Sequence, residues 1–277
     1  MLRSWIVAAA VCASVSGAYA DEFVVQPIPK DRPYPWTVLG VAPGQTAAAA
    51  KEAIEAKGVE LETQRATLGI QRKDGSQFQT TIDVAMVTKG VSAATRMQTD
   101  SPLHEVQIDL DTGVLGGRVL GIERTVRGAG EEMPAYGAAL QAQLESAFGA
   151  PSLVDVSGSG VMTIIYAWGM AGKIADLEKQ ELQTMVFDTG NGSKKEIEFQ
   201  PCVSGGEDIS SYASRLKKPI MPGCLAKFEV RFSKGVNMST VKFRLVDYDL
   251  VRMNQEETDR QLQQALTGPV APSKMDL

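Results

Sequence analysis

Two rhythms of hydrophobic spacing run through the chain, and they exchange places several times. Ala226, Phe228, Val230 and Phe232 occupy every second position, with Lys227, Glu229 and Arg231 between them. After the turn residues Lys234-Gly235-Val236-Asn237, Val241, Phe243 and Leu245 repeat the pattern around Lys242 and Arg244. A period of two puts alternate side chains on opposite faces, so the pair reads as a hairpin with one buried face. Tyr136, Leu140, Leu144 and Phe148 instead recur every fourth residue beside Ala139 and Ala147, the stripe of an amphipathic helix. Pro134 follows the acidic pair Glu131 and Glu132, and Gly149 and Pro151 come at the other end. Those start and stop signals predict a helix over 134–148. A β-branched and aromatic run from Val161 to Trp168 then predicts a strand.

The same vocabulary predicts the remaining elements. Residues 21–36 contain Pro27, Pro29, Pro33 and Pro35 and read as an extended arm anchored by Trp36. Thr46 caps an alanine-rich helix over 47–57 that Gly58 ends. Strands over 67–71 and 77–87 flank the turn Lys73-Asp74-Gly75-Ser76. Further strands are expected over 104–110, 114–126, 152–156, 182–187 and 196–200, and a short helix over 207–217. Asn254, with Glu257 three residues later, opens a polar helix reaching Leu266, and 268–277 is a loose tail. A helix followed by strands occurs twice, over 37–130 and 131–267. The expected class is α+β: antiparallel sheets with helices packed on one face, built as two duplicated helix-on-sheet units.

The N-terminus changes the chemical setting. Residues 1–20 carry Arg3, an apolar run from Trp5 to Val15, and Ala18-Tyr19-Ala20. This is the pattern of a cleaved secretory signal and is too short for a permanent anchor. The bulky Val11 before Cys12 disfavours lipidation. Export to the periplasm, or secretion, is therefore expected, with the leader removed after Ala20. Cleavage leaves two of the three cysteines, Cys202 and Cys224. In an oxidising compartment that pair reads as one disulfide, worth roughly 3 kcal/mol in the chain-entropy picture. A redox or metal pair would need a C-x-x-C spacing or more histidine than the single His104. The formal charge of −5, less the one positive charge of Arg3, is −6 for the mature chain. An acidic chain without clustered bases is a poor match for nucleic acid. Beyond the leader no apolar run is long enough to span a membrane. A 44% hydrophobic fraction over 277 residues suffices for a substantial core.

Asp111-Thr112-Gly113 and Asp188-Thr189-Gly190 each look like the Asp-Thr-Gly loop of aspartic proteases. That chemistry needs two carboxylates sharing one proton. Val114 and Asn191 stand where that family places a serine or alanine, and Asp-x-Gly is also a favoured hairpin turn. Asp111 and Asp188 are thus the catalytic candidates, weighed against two turns. Tyr166 and Trp168 are the ligand-binding candidates, weighed against core packing. His104 reads as a packed or surface residue, and Gly113-Val114-Leu115-Gly116-Gly117 as turns, since it lacks a phosphate-loop lysine. No cofactor or metal site is expected.

The segments 40–58 and 136–168 share a pattern: glycine turn, helix, Gly-x-Pro, strand, then a strand ending in an aromatic. The second copy carries it in full, with Phe148-Gly149-Ala150-Pro151 and then Tyr166-Ala167-Trp168. The first lacks the Gly-x-Pro. In this the chain resembles uncharacterised exported bacterial proteins with helix-on-sheet repeats. More distantly it is similar to small outer-membrane-assembly lipoproteins and β-lactamase-inhibitor-protein-like modules. The resemblance implies a non-enzymatic binding or interaction protein with an envelope protein as partner. A hydrolase using Asp111 and Asp188, or a small-ligand-binding protein, is the alternative expectation.

Overall fold

The first helix begins where its cap stands. Thr46 is extended, and its hydroxyl accepts a hydrogen bond from the amide of Ala49 at 3.2 Å, which satisfies one free amide of the first turn. The computed structural model describes residues 23–29, 31–71, 77–92, 94–95, 103–129, 133, 136–188, 194–203, 223–236 and 238–267. The leader, Pro134, the turns at 73–76 and 189–190, the helix expected over 207–217 and the tail lie outside them. The described elements run α1 (Ala47–Glu55), β1 (Leu61–Gln71), β2 (Gln77–Thr88), β3 (Leu103–Leu110), β4 (Val119–Gly128), α2 (Ala138–Phe148), β5 (Leu153–Val156), β6 (Val161–Gly169), β7 (Gly172–Ile174), β8 (Gln183–Asp188), β9 (Lys194–Phe199), β10 (Cys224–Lys234), β11 (Ser239–Asp247) and α3 (Tyr248–Thr267).

Strands β1-β2-β3-β4-β11-β10-β6-β5 form one antiparallel sheet in that order, with β7 also on β6; β8 and β9 make a separate hairpin. The α+β class is as expected, and the order of elements repeats. Each half gives the sheet four neighbouring strands after a helix, β1-β2-β3-β4 in one and β5-β6-β10-β11 in the other, where β7 and the β8–β9 hairpin are inserted between β6 and β10. The halves are not separate bodies, because β4 pairs with β11 from Gly128↔Ser239 to Gly121↔Val246 and makes the sheet continuous.

Alternation decides the two faces. Val230, Phe232, Val241, Leu245, Ile164 and Tyr166 share one buried cluster with Ala50 and Ile54 of α1 and Leu140 and Leu144 of α2. Their neighbours Ile165, Ala167 and Val246 belong to a second cluster with Tyr248, Leu250 and Val251 of α3. The helices therefore divide between the faces instead of sharing one. The central strands bury apolar residues on both sides near α3, and each such side chain stabilises by roughly 1.5–3 kcal/mol.

Several boundaries differ from the expected ones, each for a local reason. Strand β1 starts at Leu61, six residues early: as an edge strand it exposes Glu62, Thr63, Gln64 and Arg65, so it shows no alternation. Strand β4 starts at Val119, because residues 111–118 form a braced loop. Helix α2 starts at Ala138, after Gly137 at φ +69°. Its buried residues are Leu140 and Leu144, while Tyr136 is exposed. Helix α3 starts at Tyr248 rather than at Asn254. The true cap is Asp247, whose carboxylate accepts the Leu250 amide at 2.8 Å; Asn254 lies inside the helix, buried.

The disulfide joins Cys202 to Cys224 with the Cα atoms 5.0 Å apart, in the cluster under α3. Trp36 anchors the arm as expected, and it does so within an aromatic group that includes Trp168 at 6.1 Å and Tyr34 stacked at 5.2 Å. Trp36→Ala is expected to cost about 3–5 kcal/mol in urea unfolding and to expose residues 23–36 to limited proteolysis. An arm as protease-resistant as in the parent would refute this role.

Candidate functional site

Strands β2 and β3 run together only briefly. Their register covers Ala85↔Asp109, Met86↔Ile108 and Val87↔Gln107 and then ends. Below Ala85, β2 continues alongside β1 to Gln77, while β3 turns away after Leu110 into the loop 111–118. Between them opens a cleft of about 540 Å³, lined by Phe23, Ala47, Arg65, residues 80–83, residues 110–113 and Gly117. That volume lies in the range of ligand clefts.

The loop wall is braced from within, and Asp111 makes the brace. One carboxylate oxygen accepts the amides of Gly113 at 3.0 Å and Leu115 at 2.6 Å; the other accepts the amide of Arg118. Gly113, Gly116 and Gly117 all have φ between +69° and +101°, the left-handed conformations that let the backbone curl around one side chain. Next to it, Thr112 gives its amide and hydroxyl to Asn254 Oδ1, at 2.9 and 3.0 Å, and its hydroxyl meets that of Thr258 at 2.6 Å. These three polar residues are buried, so the network ties the loop to α3. The loop is also tied to the chain leading into α1: Ala47 N–H donates to Gly117 O at 2.8 Å, and Gln26 N–H donates to Val114 O at 2.7 Å.

The opposite wall is a strand. Cross-strand partners share a face, and Arg65 stands opposite Asp83 with Nε 2.9 Å from Oδ1. Both side chains are open to solvent, at 70% and 52% exposure, so the pair can re-form around a ligand at small cost. Thr81 is exposed, whereas Thr80 and Ile82, on alternate positions, are buried.

The sequence-predicted residues fall in different places. Asp111 lines the cleft, but both its oxygens are turned onto its own loop, and no second carboxylate is among its described partners. It braces the turn. Asp188 ends β8 in the separate hairpin. Tyr166 is fully buried against Trp36, Phe148 and Phe228, and Trp168 is half-buried beside the same group. They belong to the core and not to a groove. The His104 residue is largely exposed, and its Nε2 accepts from Arg124 Nε at 2.9 Å; partial desolvation of its ring, then the Arg124 charge, lowers its pKa. Among the described residues, no three His, Cys, Asp or Glu side chains gather to hold a metal ion. No helix there is long and apolar enough to cross a membrane. Sequence reasoning missed Arg65, Thr80, Thr81, Ile82 and Asp83, which sit in ordinary strand text. What marks them is the length of β2 against its short pairing with β3, and that shows only in the fold.

Two consequences can be measured. Burial pushes the Asp111 carboxyl above its ordinary range, against the pull of three loop amides. The folded chain then holds that proton more tightly than the unfolded chain. Its contribution to stability is complete below the unfolded carboxylate range and is lost as pH rises through the higher folded value. Urea unfolding of the parent and of Asp111→Asn should show the parent losing stability relative to the variant across that rise; the opposite slope would refute it. Tyr166 has a hydroxyl that is buried without a hydrogen-bond partner among the described residues, and burial, with Glu145 nearby, pushes its pKa up to about 12. Tyr166→Phe should therefore leave stability unchanged or raise it by up to about 1 kcal/mol in thermal unfolding.

No family model, curated protein or solved structure matches the chain.

Proposed function

We propose that this chain is an exported, periplasmic, non-enzymatic binding protein whose ligand seat is the cleft between β2 and the loop 111–118. The observation that carries the reading is the bracing of one wall. Asp111 and the Thr112–Asn254–Thr258 network hold backbone and side chains in place before anything binds, and a wall fixed in advance lowers the ordering cost of association. Facing it is an adaptable strand with an exposed ion pair. The lining offers hydroxyls, the solvent-open pair Arg65 and Asp83, and apolar surface from Phe23, Ile82 and Leu110, with the Asp111 carboxylate turned onto its own loop, which suits recognition of another protein. Residues 1–20, with the pattern of a leader, support export, and the Cys202–Cys224 bridge fits an oxidising compartment.

The test is a paired capture experiment from envelope extract, analysed by mass spectrometry. The mature protein is one bait and Thr81→Trp, which fills the cleft from an exposed strand position, is the other. A protein retained by the parent and lost with the filled cleft is expected. Identical captures by both baits, or no reproducible capture, would overturn the reading. N-terminal sequencing of the envelope-fraction protein should begin at Asp21; an intact Met1 there would overturn the export claim.

A further inference from the structure

We infer that the cleft accepts one extended segment of a partner protein as an added strand on the free side of β2. This rests on the binding-protein reading and names its partner chemistry. The repeated architecture supplies the comparison. In the second half β6 and β10 occupy the places of β2 and β3, and they pair along their length, from Val161↔Ser233 to Gly169↔Cys224. In the first half the equivalent seam closes over three residue pairs. Below it, past a bulge at Val84, β2 runs on as a strand held by β1 on one side only, among the described residues.

A strand paired on one side directs alternate N–H and C=O groups into the space on the other. Thr80 to Asp83 lie along the cleft, so this stretch presents about 13 Å of ladder edge at roughly 3.3 Å per residue. Backbone groups in a recess favour a partner that hydrogen-bonds them, and an extended peptide does so whatever its sequence. The flanks then select side chains. On one flank the added strand meets Ile82 and Phe23; on the other it meets Thr81, Arg65 and Asp83. Successive peptide side chains point to opposite flanks, so the fitting segment alternates apolar and polar residues. Its polar positions complement one cation and one anion. A second folded copy fits poorly, because the loop 111–118 stands across the cleft from the edge. A single strand, about 4.8 Å wide in the pairing direction, is the shape that enters.

The experiment pans the purified mature protein against a displayed library of random peptides of about nine residues, a typical strand length. An enriched peptide is then synthesised and bound while amide hydrogen exchange is followed. Expected are alternating apolar and polar positions among the winners and slowing of exchange at Thr80–Asp83 by about tenfold or more. Binding should weaken about tenfold or more in Thr81→Trp, with Ala47→Trp as the second filled-cleft variant should the first unfold. Peptide binding with unchanged exchange at Thr80–Asp83 overturns the strand mode and leaves the binding reading standing. Protection that appears with rising protein concentration and no peptide assigns the edge to a second copy and also overturns it. A library yielding no binder overturns it as well, and the paired capture then decides the binding reading by itself.

Discussion

The pairing of β4 with β11 is the contact on which the rest of the molecule depends. Each half supplies a helix and four strands, and neither closes a sheet of its own. Joining Gly121–Gly128 to Ser239–Val246 gives each half's last strand a partner and makes one surface wide enough to bury apolar residues on both sides. A seam of backbone hydrogen bonds is insensitive to most side-chain changes but strict about register, since a slip of one residue would exchange the two faces. Val241 and Leu245 would then leave the cluster under α1 and α2, and Lys242 and Arg244 would replace them. The seam also leaves β1 and β5 as outer edges. Strand β5 is only Leu153–Val156, whereas β1 carries Glu62 and Arg65 exposed along its length; short and charged edges both resist unwanted pairing.

Two buried carboxylates hold the parts that the sheet does not reach. Asp247 accepts Arg32 Nε at 2.6 Å, the Tyr34 hydroxyl and the Leu250 amide. The last residue of β11 thus caps α3 and clamps the arm. Burial works against its charge, and those three donors work for it. The same contact pushes the Tyr34 hydroxyl well above the usual phenol range, through burial and then the Asp247 charge. An apolar substitute could match the stability of such a cluster but could not specify where an arm and a helix start meet. Asp111 does the comparable task for the loop beside the cleft, with backbone amides in place of an arginine.

What can be read from the sequence depends on how far each signal reaches. The β10–β11 hairpin, α1 and β6 carry their periodicity within a dozen residues, and they stand where expected. The pairing of Cys202 with Cys224 requires only the compartment and the count. The start of α3 departs from expectation because Asn254 and Glu257 have the spacing of a capping box. Asn254 instead meets Thr112, 142 residues away, and no local pattern encodes that partner. The mark of the true start is Asp247, standing directly after an apolar strand and three residues before Leu250. Asp-Thr-Gly at 111–113 is visible, yet its two readings differ only in whether the oxygens face a second carboxylate or the loop's own amides.

The cleft is the least legible feature, because it is a difference between two seams and not a motif. In the second half β10 stays beside β6 to Ser233, opposite Val161, and at the far end the sulfur bridge from Cys224 to Cys202 anchors the seam near Gly169. In the first half β3 stops at Leu110 and runs into a glycine-containing loop that Asp111 curls away from β2. Similar strand order therefore yields a sealed seam in one half and a parted one in the other, according to whether the third sheet strand of that half keeps to its neighbour or bends into a loop. Opening a seam forgoes backbone pairing in the first half, and the molecule stays closed elsewhere because α3 reaches across to Thr112 and the arm to Val114. Among the described residues, the strand groups of Thr80–Asp83 on that side face the cleft, where water can satisfy them, so the parted seam is the part of the sheet that the fold leaves open between two of its own strands.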